Sequence, residues 1–375
     1  MAGVYIHIPF CRKKCFYCDF YKTTATGKKS LFLEALHHEV ELRSDYLENE
    51  EAETVYFGGG TPSILSVEEI KAVLFRLKQT FSIISTAEIT LEANPDDLNP
   101  VYFSALRQNG INRLSIGIQS FSDQDLKRMN RRHSTAQAIQ SVNEAFRAGF
   151  SDISIDLIYG LPGQTADQWR ENLAIATTLP VSHISAYHLT YHEGTLFHQW
   201  LRQGLLHELT EDESLAQFEL LVRSMEKAGF EQYEISNFAR NGAYSKHNSS
   251  YWSGKKYLGL GPSAHSFNGI SRQWNADDIE LYVNSVLSGK PAFESEILTP
   301  KDKLNDYLIT GIRTKWGISV SHIQSVYGES TKEKIVRSVR TYLENGCLQL
   351  SGDQISLTKK GIMVSDQIML SLLVE

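Results

Sequence analysis

The sequence predicts an α/β protein: a partial, TIM-like (β/α)6 barrel followed by a small C-terminal winged-helix-like α+β domain. Three observations predict it. Short β-rich runs alternate with helical segments through about residue 230, and polar residues gather at the ends of those runs. Beyond about residue 295 the alternation gives way to consecutive helices and two short strand candidates. Strand–helix alternation implies right-handed βαβ units, convergence of polar residues on one rim is barrel logic, and six units rather than eight leave the barrel open. The expected boundaries are 1–235 for the barrel, 236–295 for a connecting region and 296–375 for the last domain.

In chain order the strands are the runs VYIHI, ETVYF, AEITLEA, RLSIGI, DISIDLIY and HISAYHL. The helices between them carry their own punctuation. Asn99 and Pro100 read as N-cap and first helical residue, with Gly110 just past that helix. Ser134 with Gln137, Thr165 with Gln168 and Thr210 with Glu213 each match a capping box, and Gly149, Pro180 and Gly229 close those helices. At or near strand ends stand Gly58 to Thr61, Glu92, Gln119 and Asp156. The C-terminal helices fall near 302–313, 319–327 and 331–344, ahead of LQL and ISL around a Ser-Gly-Asp turn. Lys334, Arg337 and Arg340 could form a DNA-binding stripe, but Glu333 and Glu344 share that helix, and the solvated-face reading is preferred.

The chain has 37 Lys and Arg against 44 Asp and Glu, a formal charge of −7, so no global field favours nucleic acid or an anionic membrane. No apolar run approaches membrane-spanning length, and the chain opens on the strand Val4–Ile8 without a signal-peptide pattern. A reducing cytoplasm is the expected compartment, and it suits free thiols.

Three of the four cysteines, Cys11, Cys15 and Cys18, fall in the run HIPFCRKKCFYCDF. A cubane iron–sulfur cluster wants one thiolate per iron, so three ligands leave one iron open to an exchangeable group. The competing reading is structural zinc with His7 as fourth ligand. A disulfide framework is weaker, since the distant Cys347 reads as a buried small hydrophobe. After ETVYF, Gly58-Gly59-Gly60-Thr61-Pro62 lets the backbone approach a ligand closely, yet lacks the Gly-Lys-Ser/Thr of a phosphate-binding loop. Glu92, in LEANPDD, offers a carboxylate to ribose hydroxyls or an ammonium group.

The Cys-x-x-x-Cys-x-x-Cys spacing resembles the signature of the radical S-adenosylmethionine (SAM) superfamily. A likeness along nearly the whole chain, carried by YIHIPFC, FGGGTP, IGIQSF, NRRH, SIDLIYGLPGQT and LGLGPSAHSF, resembles one branch of it: the oxygen-independent coproporphyrinogen III oxidases and their heme chaperone relatives. The resemblance implies a [4Fe–4S] cluster on Cys11, Cys15 and Cys18, with the amino and carboxylate groups of SAM on the open iron. A reduced cluster would pass one electron to the sulfonium and release a 5'-deoxyadenosyl radical, which calls for a cellular electron donor. It also implies that Gly59, Gly60 and Thr61 meet the methionyl amino group, that Tyr5 and Glu92 help hold SAM, and that Tyr17 flanks the cluster loop. Residues matching Gln119, Arg131 and Asp156 contact a second SAM or the substrate region in the oxidase; an Arg131–Asp156 ion pair is the structural alternative.

Two departures from the oxidase stand out. Phe20 occupies the place of its fourth cysteine, and with Tyr5 almost the first residue of the sequence, the N-terminal extension that helps the oxidase enclose substrate is expected to be missing. A poorly closed site counts against efficient radical decarboxylation. His247-Asn248-Ser249-Ser250-Tyr251-Trp252 instead matches the His-Asn-x-x-Tyr-Trp motif of the heme chaperone branch, with imidazole as heme ligand and aromatics suited to the porphyrin face. By itself a histidine before Tyr-Trp is usually structural. His265, in GPSAHSF, is a second candidate, at a position that in the oxidase is apolar and lies by the SAM site. The expected function is heme binding and transfer to acceptor proteins such as respiratory enzymes. Its alternative is coproporphyrinogen III dehydrogenation.

Overall fold

β-Branched and aromatic residues pack better on a pleated surface than against a helical turn, and six such runs form strands. In the computed structural model, which describes residues 1–374, these are β1 (Ala2–Ile8), β2 (Ala52–Gly59), β3 (Ile83–Ala93), β4 (Arg113–Gln119), β5 (Asp152–Tyr159) and β6 (His183–His188), each parallel to the next. Between them lie α1 (Lys29–Leu42), α2 (Val67–Thr80), α3 (Pro100–Gln108), α4 (Asp123–Arg128), α5 (Thr135–Arg147) and α6 (Ala166–Thr178). The side chains of Asn99, Ser134 and Thr165 cap α3, α5 and α6, the last two in full capping boxes, as their spacing predicts. The two-residue period of each strand then sorts core from cavity. In β4, Leu114, Ile116 and Ile118 are buried in the main apolar core, while Arg113, Ser115, Gly117 and Gln119 face the inside of the barrel and line its cavity.

After β6 come α7 (Leu196–Arg202), α8 (Glu211–Lys227), β7 (Glu231–Gln232) and β8 (Asn237–Ala239); β8 pairs antiparallel with β6 and closes that edge with β7. The opposite edge is longer than the sequence suggests. Following α9 (Lys246–Trp252), β9 (Tyr257–Leu260) lies parallel to β1 as a seventh strand of that direction. β10 (His265–Phe267), β11 (Ser271–Asn275) and, beyond α10 (Ile279–Leu287), β12 (Phe293–Ile297) continue antiparallel, giving a twelve-stranded sheet. These strands are short, and Phe293–Ile297 is exposed throughout, so alternation carries little signal there.

The C-terminal part holds α11 (Pro300–Ile312), β13 (Ile318–Ser319), α12 (Val320–Tyr327), α13 (Glu329–Glu344), β14 (Leu348–Ser351), β15 (Gln354–Leu357), α14 (Lys359–Ile362) and α15 (Ser365–Leu372). Leu308, Ile312, Ile335, Val339 and Ile355 form its own core, and the β14–β15 hairpin is the wing of a winged-helix-like unit. Among the described residues no helix is long and apolar enough to cross a membrane.

Candidate functional site

The loop leaving β1 carries the three clustered cysteines, and Cys11, Cys15, Cys18 and Tyr17 line a cavity of about 410 Å³ within the curve of the parallel strands. Gly59, Gly60 and Thr61 border it from the end of β2, and Glu92, Gln119, Asp156 and Arg131 complete its wall. Residues far apart in sequence meet there because parallel strands deliver their C-terminal ends to one rim.

The cysteine loop is held by the motifs facing it. Asn130 Nδ2 donates to the Lys14 carbonyl at 2.7 Å, and the Phe16 amide donates to Met129 O at 3.2 Å. Arg132 bonds Asp96 and reaches Asp97 at 2.8 Å, while Arg12 lies 3.4 Å from Asp97. NRRH and NPDD thus act as a clamp. Donors also reach the sulfurs: Thr61 Oγ1 stands 3.3 Å from Cys11 Sγ and Arg131 Nη1 3.6 Å from Cys15 Sγ. Burial lifts the Cys11 and Cys18 thiols above their ordinary range, opposed by the Thr61 hydroxyl at Cys11 and the Lys22 ammonium at Cys18.

This donor set suits a cluster better than a single ion. A cubane spreads its thiolates over separate irons, and Cys11, Cys15 and Cys18, all from one short loop, line one cavity with room beside them. His7 is not available as a fourth zinc ligand. Its Nε2 bonds the Tyr21 carbonyl at 2.9 Å and its Nδ1 the Tyr5 hydroxyl at 3.2 Å. Cys347 is buried in the C-terminal core, far from the loop. The cavity also fits a zwitterionic ligand. Arg131 Nε is buried without a partner among the described residues, a donor open to a carboxylate, and the Glu92 and Asp156 carboxyls line the same cavity, where they would suit a cationic group.

Burial, then the neighbouring Asp156 carboxylate, raises Glu92 to about 7, and burial raises Asp156 to about 6 against the pull of the Arg113 guanidinium. A carboxyl whose folded value exceeds its unfolded one contributes stability that is complete below the unfolded value and lost as pH rises through the folded one. The cofactor-free protein is therefore expected to lose stability as pH climbs from the ordinary carboxylate range to about 7. For Glu92 the loss is roughly 3 kcal/mol. Glu92→Gln should flatten this slope in thermal unfolding across pH 4.5–8 (about the titration range); an unchanged slope contradicts the assignment.

Several expectations meet a different geometry. Gly59, at φ 103°, and Gly60 border the cavity, but the space they release is largely taken by protein: a Cβ would fall 2.7 Å from the His7 ring at Gly59 and 2.8 Å from the Ile8 carbonyl at Gly60. Arg131 does not pair with Asp156; it bonds Asn94 Oδ1 at 2.6 Å and the Gly117 carbonyl, and Asp156 accepts from Ser115 at 3.4 Å. Gln119 sits at a register shift with φ 70°, a strained conformation for a residue with a side chain. Tyr5 does not border the cavity. Its ring lies behind Gly58, stacked on Tyr56 at 6.1 Å between centroids.

His247 likewise does not border the cavity. It is 2% exposed, its Nδ1 pairs with Thr54 Oγ1 at 2.8 Å and its Nε2 with the Tyr251 hydroxyl at 2.9 Å, so in this structure neither nitrogen is free for iron. Its ring stacks on Tyr56 at 4.9 Å, and the Tyr56 hydroxyl donates to Glu92 at 2.8 Å. The histidine supports the site from below. His265 is also not beside the first cavity, contrary to the position expected from the oxidase; it borders a second cleft, between the outer sheet edge and α11. Sequence reasoning missed Tyr56, Arg113, Ser115, Ser154 and Tyr187, which line the first cavity. Their signal was the alternation of polar with apolar residues, as in RLSIGIQ and SIDLI.

Residues 5–175 match the Radical SAM superfamily and residues 298–364 the HemN C-terminal domain. The chain is 32% identical to the protein named Heme chaperone HemW in Bacillus subtilis over 371 residues, 98% of each chain. It is 34% identical to the mitochondrial Radical S-adenosyl methionine domain-containing protein 1 of Bos taurus, covering 99% of this chain and 87% of that one. The solved structure of coproporphyrinogen III oxidase (HemN) from Escherichia coli, described as a radical SAM enzyme, matches at TM-score 0.86 and 23% identity over 100% of this chain and 90% of that one, a likeness of fold. With a three-cysteine loop on a partial barrel and full-length relatives above 30% identity, the chain belongs to the radical SAM superfamily and, within it, to the coproporphyrinogen III oxidase-like family that includes the HemW proteins.

Proposed function

We propose that this protein is a heme chaperone on a radical SAM core, which binds heme and hands it to acceptor proteins such as respiratory enzymes in a reducing cytoplasm. The observation that carries the reading is the likeness to named heme chaperones along almost the whole chain, including both matched regions. Cys11, Cys15 and Cys18 hold a [4Fe–4S] cluster, and the cavity beside it takes SAM. Arg131 receives the methionyl carboxylate, the backbone of Gly59 and Gly60 together with Thr61, where they border the cavity, meets its amino group, and Glu92 takes a hydroxyl or cationic group. Tyr17 covers the cluster loop, and Gln119 and Asp156 border the far end. Cluster and SAM, when bound, supply one-electron cleavage of a carbon–sulfur bond, fed by a cellular electron donor.

A second reading, oxidative decarboxylation of coproporphyrinogen III, is favoured by the fold shared with HemN, but a shared scaffold does not choose between carrier and enzyme. Two assays on one anaerobic preparation separate them. Heme loading followed by mixing with an apo-hemoprotein should transfer heme, and incubation with SAM, reductant and coproporphyrinogen III should yield little protoporphyrinogen IX. Rapid porphyrinogen turnover without heme transfer overturns the proposal.

A further inference from the structure

We infer that heme is held in the second cleft, between β9–β11 and α11, with the imidazole of His265 as its iron ligand; this rests on the heme-binding reading above. Strand register builds the first wall. His265 stands directly opposite Trp274, and Phe267 opposite both Arg272 and Tyr257, so these side chains share one face of the sheet. The His265 ring lies 6.2 Å from Trp274 at 28°, is exposed, and has no hydrogen bond on either nitrogen among the described residues. α11 builds the facing wall with Lys303, Asp306, Tyr307 and Thr310, spaced to fall on one helical face. Between the walls the cleft measures about 1030 Å³, against about 410 Å³ for the cluster cavity. That is at the upper end of the roughly 300–1,000 Å³ typical of small-molecule sites, and aromatic side chains suit a flat, apolar macrocycle.

The polar groups of the cleft suit the ends of such a ligand. Trp252 and Ser249 border it, and Trp252 Nε1 and Ser249 Oγ are buried behind its surface without partners among the described residues, two donors that a small side-chain rotation would offer to propionate carboxylates. Lys303 adds a cation, while Arg272 is held by Asp306 and Glu296 at the rim. Burial and the Arg272 charge keep the His265 imidazole below its ordinary value, hence neutral at physiological pH, the form that binds iron. The HNSSYW helix gains a role distinct from direct ligation. Asn248 borders the cluster cavity, Tyr251 and Trp252 border the cleft, and His247 fastens Tyr251 in place.

Hemin titration of the full chain, followed by Soret absorption, tests this with H265A, H265G and T310W. H265A and H265G should weaken binding about tenfold or more and shift the Soret band, and free imidazole should restore the band in H265G. T310W leaves the ligand intact but fills the slot, and should weaken binding comparably. Binding that H265A, H265G and T310W all leave unchanged overturns this site while the heme reading stands; absence of hemin binding by the unsubstituted protein overturns both.

Discussion

Alanine at any one of Cys11, Cys15 or Cys18 is expected to abolish stoichiometric iron and acid-labile sulfide after anaerobic reconstitution, whereas Cys347→Ala should retain both. The three loop cysteines share one cavity and face Thr61, Arg131 and Lys22, groups that favour the thiolate. Cys347, by contrast, is 5% exposed in the C-terminal core. A cubane held by three protein thiolates has no spare ligand: losing one leaves two irons open, and neither His7 nor Phe20 can replace it. Iron and sulfide measured per chain check this, and full loading of any one of the three variants contradicts the assignment.

Glu39→Ala is expected to cost about 3–5 kcal/mol of stability, measured by urea unfolding. Glu39 is fully buried on α1 and accepts from the Gly261 amide at 2.8 Å, Asn275 Nδ2 at 2.7 Å and the Tyr282 hydroxyl at 2.7 Å. Burial raises its carboxyl above the ordinary range, these three donors opposing. Alanine would strand the Gly261 amide, the Tyr282 hydroxyl and one of the two Asn275 amide hydrogens in the interior and leave a void. The bonds also order the segment that presents His265: Asn275 donates from its side chain to Gly261 O at 2.8 Å and from its amide to Ala264 O at 2.9 Å. Glu39→Ala should therefore weaken hemin binding even where the chain stays folded. A loss below about 1 kcal/mol would contradict the role given to this carboxylate.

What could be read from sequence was what local chemistry encodes. The six strands and the caps at Asn99, Ser134 and Thr165 announce themselves through short-range patterns, and the cysteine triplet is compact enough to stand out. The outer sheet edge was not legible, because strands such as Ser271–Asn275 and Phe293–Ile297 owe their existence to pairing rather than to an apolar face. Nor was the second cleft, whose walls come from residues near 251–274 and 303–316 and meet only through the fold. His247 is the instructive residue. The motif marked its neighbourhood, but spacing could not reveal that Thr54 and Tyr251 would take both ring nitrogens. Glu39 looked like any acid on an amphipathic helix until its three donors were in view.

The proposed function requires a cluster iron left open beside Arg131 and Glu92, which line one cavity with the three cysteines. Electron paramagnetic resonance of the dithionite-reduced protein, with and without SAM, tests it most directly. A cluster signal whose g values shift on adding SAM is the predicted result; no cluster signal, or one that SAM leaves unchanged, contradicts it.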